Sequence, residues 1–114
     1  MSDGRLPARG RRTLADRLLQ ALNALADHRG AVLHHGETAW ASITFAGARH
    51  RVTMLFSGAE AVAAAETLIA ELPEHEFTLP RHFVAQAEVI EVDHRLYPVS
   101  AMTLVCELLV LEEG

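Results

Sequence analysis

The sequence predicts an α+β protein: a two-layer sandwich in which a mainly antiparallel sheet of about five strands carries two helices on one face, in the order α-β-β-β-α-β-β. Three observations predict it. Apolar residues recur at helical spacing in two separate stretches, residues 14–25 and 61–72. Between residues 38 and 56 the apolar period drops to two. Residues 83–111 then read as two long apolar strands joined by a short polar loop, Asp93-His94-Arg95-Leu96-Tyr97-Pro98. Strands joined by short turns must run antiparallel. Each helical stretch has a single apolar stripe, so both lie on the same side of one sheet.

Residues 1–12 contain Gly4, Pro7 and Gly10 and almost no apolar side chains, the composition of a flexible arginine-rich leader. Residues 13–114 form a single α+β domain. Thr13 is placed to cap a helix, with Asp16 three residues on and near the positive end of the helix dipole. Leu14, Leu18, Ala21, Leu22 and Leu25 make the apolar stripe, with Asn23 and Asp27 on the wet side. His28-Arg29-Gly30 closes the helix. Residues 31–35 form a short strand and Gly36-Glu37 a turn. From Thr38 the pattern alternates, with Ala39, Ala41, Ile43 and Phe45 on one side and Trp40, Ser42 and Thr44 on the other. Ala46-Gly47-Ala48 is read as the hairpin turn. The return strand places His50, Val52, Met54 and Phe56 on one face and Arg49, Arg51, Thr53 and Leu55 on the other.

Ser57 and Glu60 have the spacing of a capping box. The helix they open buries Ala61, Val62, Ala65, Leu68, Ile69 and Leu72 and stops at Pro73. Phe77-Thr78-Leu79 is a short edge strand ended by Pro80. In the strand from Phe83, alternate apolar residues share a face as far as Val89. From Ile90 the phase flips. A one-residue slip within a strand is what a β-bulge produces, so a bulge is predicted near Val89 and Ile90. In the last strand Met102, Leu104, Cys106, Leu108 and Val110 face the helices. Val105, Leu109 and Leu111 face the other way.

Composition narrows the function. The chain of 114 residues is 50% hydrophobic and 22% charged, ordinary for a globular domain. No apolar run approaches the about 18 residues that span a membrane, and a cytoplasmic protein is expected. All ten basic residues are arginine. Residues 1–17 hold five arginines and two aspartates, a net of +3, so the chain's −5 leaves −8 for the rest. An acidic body speaks against a nucleic-acid surface on the fold, leaving only the leader to touch phosphate. Cys106 lies inside an apolar strand pattern and reads as a buried, inert thiol.

Chemistry-bearing motifs are weak. There is no phosphate-cradling glycine loop, no nucleophile elbow and no CxxC, so no catalytic residue and no cofactor is assigned. Seven histidines prompt a test for metal ligation. One of His34 and His35 meeting His50 across the sheet, with Glu37 nearby, makes a mixed nitrogen and oxygen site. Histidines capping strands and loop ends explain His28, His75, His82 and His94 more simply, and no metal ligand is assigned. Glu88 and Glu107 are read as cross-strand neighbours on the outer face, with pairing to Arg49 or Arg51 preferred over acid/base work.

Large apolar groups on the side away from the helices need a second cover. A non-enzymatic binding or assembly module results, a homodimer through its open sheet face with Trp40, Val105, Leu109 and Leu111 at the interface, or else a face for another protein. The competing reading is a small-ligand binder or enzyme, with a cleft between helices and curved sheet lined by Trp40, His50 and Glu88.

Overall fold

The computed structural model describes residues 12–114; the leader assigned to residues 1–12 lies outside the described residues except for Arg12. The fold is α+β: α1 (Leu14–Leu25), β1 (Ala31–Ala41), β2 (Ala46–Ser57), α2 (Ala59–Glu71), a 3-10 turn (Leu72–Glu74), β3 (His82–Arg95) and β4 (Ala101–Glu112). The strands form one antiparallel sheet in the order β1-β2-β4-β3. Four strands replace the expected five, because Gly36 and Glu37 lie inside a continuous β1 instead of turning. The expected strand at residues 77–79 is reduced to an isolated bridge between Leu79 and His82.

Capping chemistry starts α1 as the sequence demands. The Thr13 hydroxyl accepts from the Asp16 N–H (3.0 Å) and the Asp16 carboxylate accepts from the Thr13 N–H (3.2 Å). A cap of this kind contributes about 1 kcal/mol. The helix ends at Leu25, earlier than His28-Arg29-Gly30, and Asp27 and His28 follow at φ 56° each. Asn23 is half-buried instead of wet. At α2, Ser57 is still in β2. Gly58 is the cap, at φ 96° with no side-chain bond, so the expected capping box does not form. Its N–H donates to the Ser100 carbonyl (2.8 Å), tying the start of α2 to the β3–β4 loop.

Both helices lie on one face of the sheet. Leu18 and Leu22 of α1 and Ala61, Val62, Ala65 and Leu68 of α2 join one buried cluster. From the sheet that cluster takes Val52, Met54 and Phe56 of β2 and Met102, Leu104, Cys106, Leu108 and Val110 of β4. These are the alternate residues read from the sequence, and β2 and β4 pair without a slip from Gly47 to Ser57. β4 is therefore the central apolar strand. β3 is an edge, and its register shifts twice, between Val84 and Gln86 and between Val89 and Glu91. The second shift is the predicted bulge. The first, at Ala85, turns Phe83 away from the helices while Val84 and Ala87 face them.

The hairpin turn also moves. Residues 42–45 make it, not Ala46-Gly47-Ala48. The Ser42 N–H donates to the Phe45 carbonyl (2.7 Å), and the Ser42 hydroxyl accepts from the N–H groups of Thr44 (3.2 Å) and Phe45 (3.0 Å). A serine satisfying the turn's own amides does without glycine. Gly47 is needed for another reason: a Cβ there would lie 2.0 Å from the Val110 carbonyl oxygen.

Candidate functional site: the open face and the histidine pair

Register fixes what each face of the sheet presents. On the open face, away from the helices, Trp40, Gly47, Leu111 and Phe83 form one row from edge to edge. Thr38, Arg49, Leu109 and Gln86 form the next, then Gly36, Arg51, Glu107 and Glu88, then His34, Thr53, Val105 and Glu91. The face is thus apolar at the hairpin end, charged across the middle, and mixed beyond.

The charged row is built around Glu107. Its carboxylate lies 3.6 Å from the Arg49 guanidinium and 3.1 Å from that of Arg51. Glu88 is its cross-strand neighbour, as expected. Two cations beside Glu107 offset the like charge of Glu88. Partly exposed pairs of this sort contribute at most about 1 kcal/mol each. Their larger consequence is to set the charge pattern of the face.

The apolar end differs from expectation. Leu109 and Leu111 keep only 8% and 4% of their surface, although neither belongs to the helix-side core. Phe45, at the end of the hairpin turn, meets Phe83 edge to face with ring centroids 5.7 Å apart. β4 lies between β2, into which Phe45 leads, and β3, which carries Phe83, so the pair closes over the end where Leu111 sits. Leu109 and Leu111 are a floor covered within the chain, and the half-buried Trp40 and Val105 and the 41%-exposed Phe45 supply the free apolar surface. The sequence reading missed the Phe45–Phe83 contact because it depends on the bulge at Ala85.

The residues assigned to a ligand cleft do not come together. Trp40 and Glu88 face away from the helices. His50 faces them and is 1% exposed. A cavity of about 560 Å³ opens elsewhere, lined among others by Arg12, Arg17, Arg81, His82, Glu112 and Glu113. Cys106 is fully buried, and burial pushes its thiol up to about 12, so it is no nucleophile at neutral pH.

His50 has a partner of its own. Its Nδ1 lies 2.8 Å from Nε2 of His35 on the edge strand β1. The ring centroids are 5.1 Å apart and the planes 17° from parallel. Such a separation is reached only when both nitrogens lie on the line between the ring centres. The rings therefore meet edge to edge through one N–H···N bond. Glu37 is the cross-strand partner of His50. Burial depresses the His50 pKa; Glu37 opposes this, and His35 and His82 add to it.

No protein-family model matches the chain, and no curated protein matches it. Among solved structures, a chain from the virion of the native gene transfer agent (GTA) particle is similar, with a TM-score of 0.59 over 86% of this chain and 91% of that one. The sequences are 17% identical, a level at which likeness shows a shared fold. No helix among the described residues is long and apolar enough to cross a membrane.

Proposed function

We propose that the protein is a non-enzymatic assembly module that acts as a homodimer through the open face of its sheet. The observation that carries this reading is the composition of that face. Trp40, Phe45 and Val105 offer apolar surface, and the arginine pair and the carboxylates Glu88, Glu91 and Glu107 stand in adjacent rows. A face that holds both signs of charge suits an isologous interface, in which the same patch meets itself. The molecule measures 47 × 44 × 21 Å, so its broad side exceeds the about 800 Å² per partner that a stable interface buries. Similarity to a chain of a virion, a particle assembled from protein chains, points to the same class of role.

Sedimentation velocity tests the reading. The wild-type chain should sediment as a dimer at micromolar concentration. Val105→Lys, which sets a cation in the middle of the face, should raise the concentration at half-dissociation about tenfold or more while keeping the wild-type circular dichroism spectrum. A wild-type monomer throughout the micromolar range would remove the homodimer.

A further inference from the structure

The helix-side face carries a second feature that self-assembly does not use. Glu37 lies directly across from His50, and His35 lies two pairs further along the same two strands, next on the same face. One donor atom from each of His35, Glu37 and His50 falls within 4.8 Å of the others. Two imidazole nitrogens and one carboxylate oxygen at this spacing are a first-row transition-metal donor set. His50 is the anchored member of the three. Its ring is 1% exposed, and Nε2 has no hydrogen-bond partner among the described residues. Nε2 stays unpaired whether Nδ1 holds the His35 bond or an ion, so its cost in stability is separate from the site, and it is Nδ1, 2.8 Å from His35 Nε2, that burial holds in place.

We propose that His35, Glu37 and His50 form a binding site for a divalent transition-metal ion of the zinc class. The three roles differ. His50 is held by burial and fixes the position of the site. His35, half-buried on the edge strand, closes from the side. Glu37 is exposed and brings the negative charge that a dication needs. Zinc to imidazole bonds are about 2.0–2.1 Å, so tetrahedral ligation sets the two nitrogens roughly 3.3 Å apart. The pair stands at 2.8 Å, and the proton between them must leave as the ion enters. The opening needed is roughly 0.5 Å, well within the movement of an edge-strand side chain. Among the described residues β1 is an edge of the sheet, and Glu37 is exposed, so the remaining coordination position opens to water. That is the open arrangement of three protein ligands and one exchangeable group.

The test uses the untagged full chain, freed of metal by a chelator. Zinc chloride is titrated by calorimetry, and Co²⁺ is followed by its visible absorption as a report of low-coordinate nitrogen and oxygen ligation. The expected result is saturable binding of one ion per chain at micromolar concentration or below. His35→Gln and Glu37→Gln should each weaken it about tenfold or more. His34→Gln should leave it unchanged, because His34 is exposed on the opposite face. His50 is left intact because its burial makes it a risk to folding, and melting curves confirm that the other variants fold. Absence of one-to-one binding overturns the proposal. So does zinc affinity that survives both His35→Gln and Glu37→Gln in folded protein, or that falls equally in His34→Gln. The site lies on the face opposite the proposed dimer surface, so either result stands apart from the oligomeric state.

Discussion

Gly47→Ala is expected to destabilise the protein by about 3 kcal/mol, the upper end of what overpacking costs. The added methyl would stand 2.0 Å from the carbonyl oxygen of Val110 and 2.8 Å from Cα of Leu111. Both are main-chain atoms of the central strand, so no side chain can swing aside. Relief requires β2 and β4 to part at the end where Trp40, Leu111 and Phe83 share a row. For a domain of this size the melting temperature should fall by more than about 10 °C. Thermal unfolding followed by circular dichroism measures it. A variant that melts with the wild type would mean that β2 and β4 do not approach in this register.

Phe56→Ala should cost about 3–5 kcal/mol. Phe56 is fully buried and is the largest such side chain in the core. Its ring also lies under the chain where α1 hands over to β1: a Cβ on Gly30 would meet it at 2.6 Å. Gly30→Ala alone should therefore destabilise through that clash. Combined with Phe56→Ala, the same methyl enters the vacated space. The double variant should then lose less than the sum of the two singles, the non-additivity expected of residues in contact. Urea unfolding of all four proteins gives the coupling directly. Strict additivity would contradict the placement of Phe56 beneath residue 30.

What was legible in the sequence follows from where each strand sits. β2 and β4 are central and pair without slips, so strict alternation identified every helix-facing residue from His50 to Phe56 and from Met102 to Val110. The edges were harder, because bulges reset their phase. The bulge at Ile90 was visible because Glu88 and Glu91 mark where the polar side changes over. The bulge at Ala85 was not, since alanine fits either face, and plain alternation grouped Phe83 with Ala87 and Val89, from which the bulge separates it. A third slip, at Leu33 in β1, lies where no alternation was read. Gly47 was taken for a turn residue, whereas its role is close approach between strands. Gly36 and Glu37 have turn composition, yet β2 supplies a full row of partners opposite them and the strand runs on. This removed the fifth strand.

The candidate sites divide in the same way. Trp40, Glu88 and His50 never shared a face, because the pairing register of β1, β2, β4 and β3 sets the first two opposite the third. The open face was foreseen as apolar through Val105, Leu109 and Leu111. That Leu109 and Leu111 are covered from within depends on Phe45 reaching Phe83, a contact between residues 38 positions apart that no local pattern encodes. One of His34 and His35 was weighed with Glu37 and His50 from spacing alone, without choosing between the two. The register between β1 and β2 puts His35 with Glu37 and His50.

Trp40 is the chain's single tryptophan, half-buried on the open face, and it offers the most direct measurement of assembly. Its emission should shift to shorter wavelength as the protein is concentrated from nanomolar to tens of micromolar, as a second copy removes water from the ring. The shift should follow a single dimerisation curve, and Val105→Lys should displace that curve to higher concentration. An emission maximum that stays constant over the whole range, in a chain that sediments as a monomer, would contradict assembly of this protein with itself through the open face.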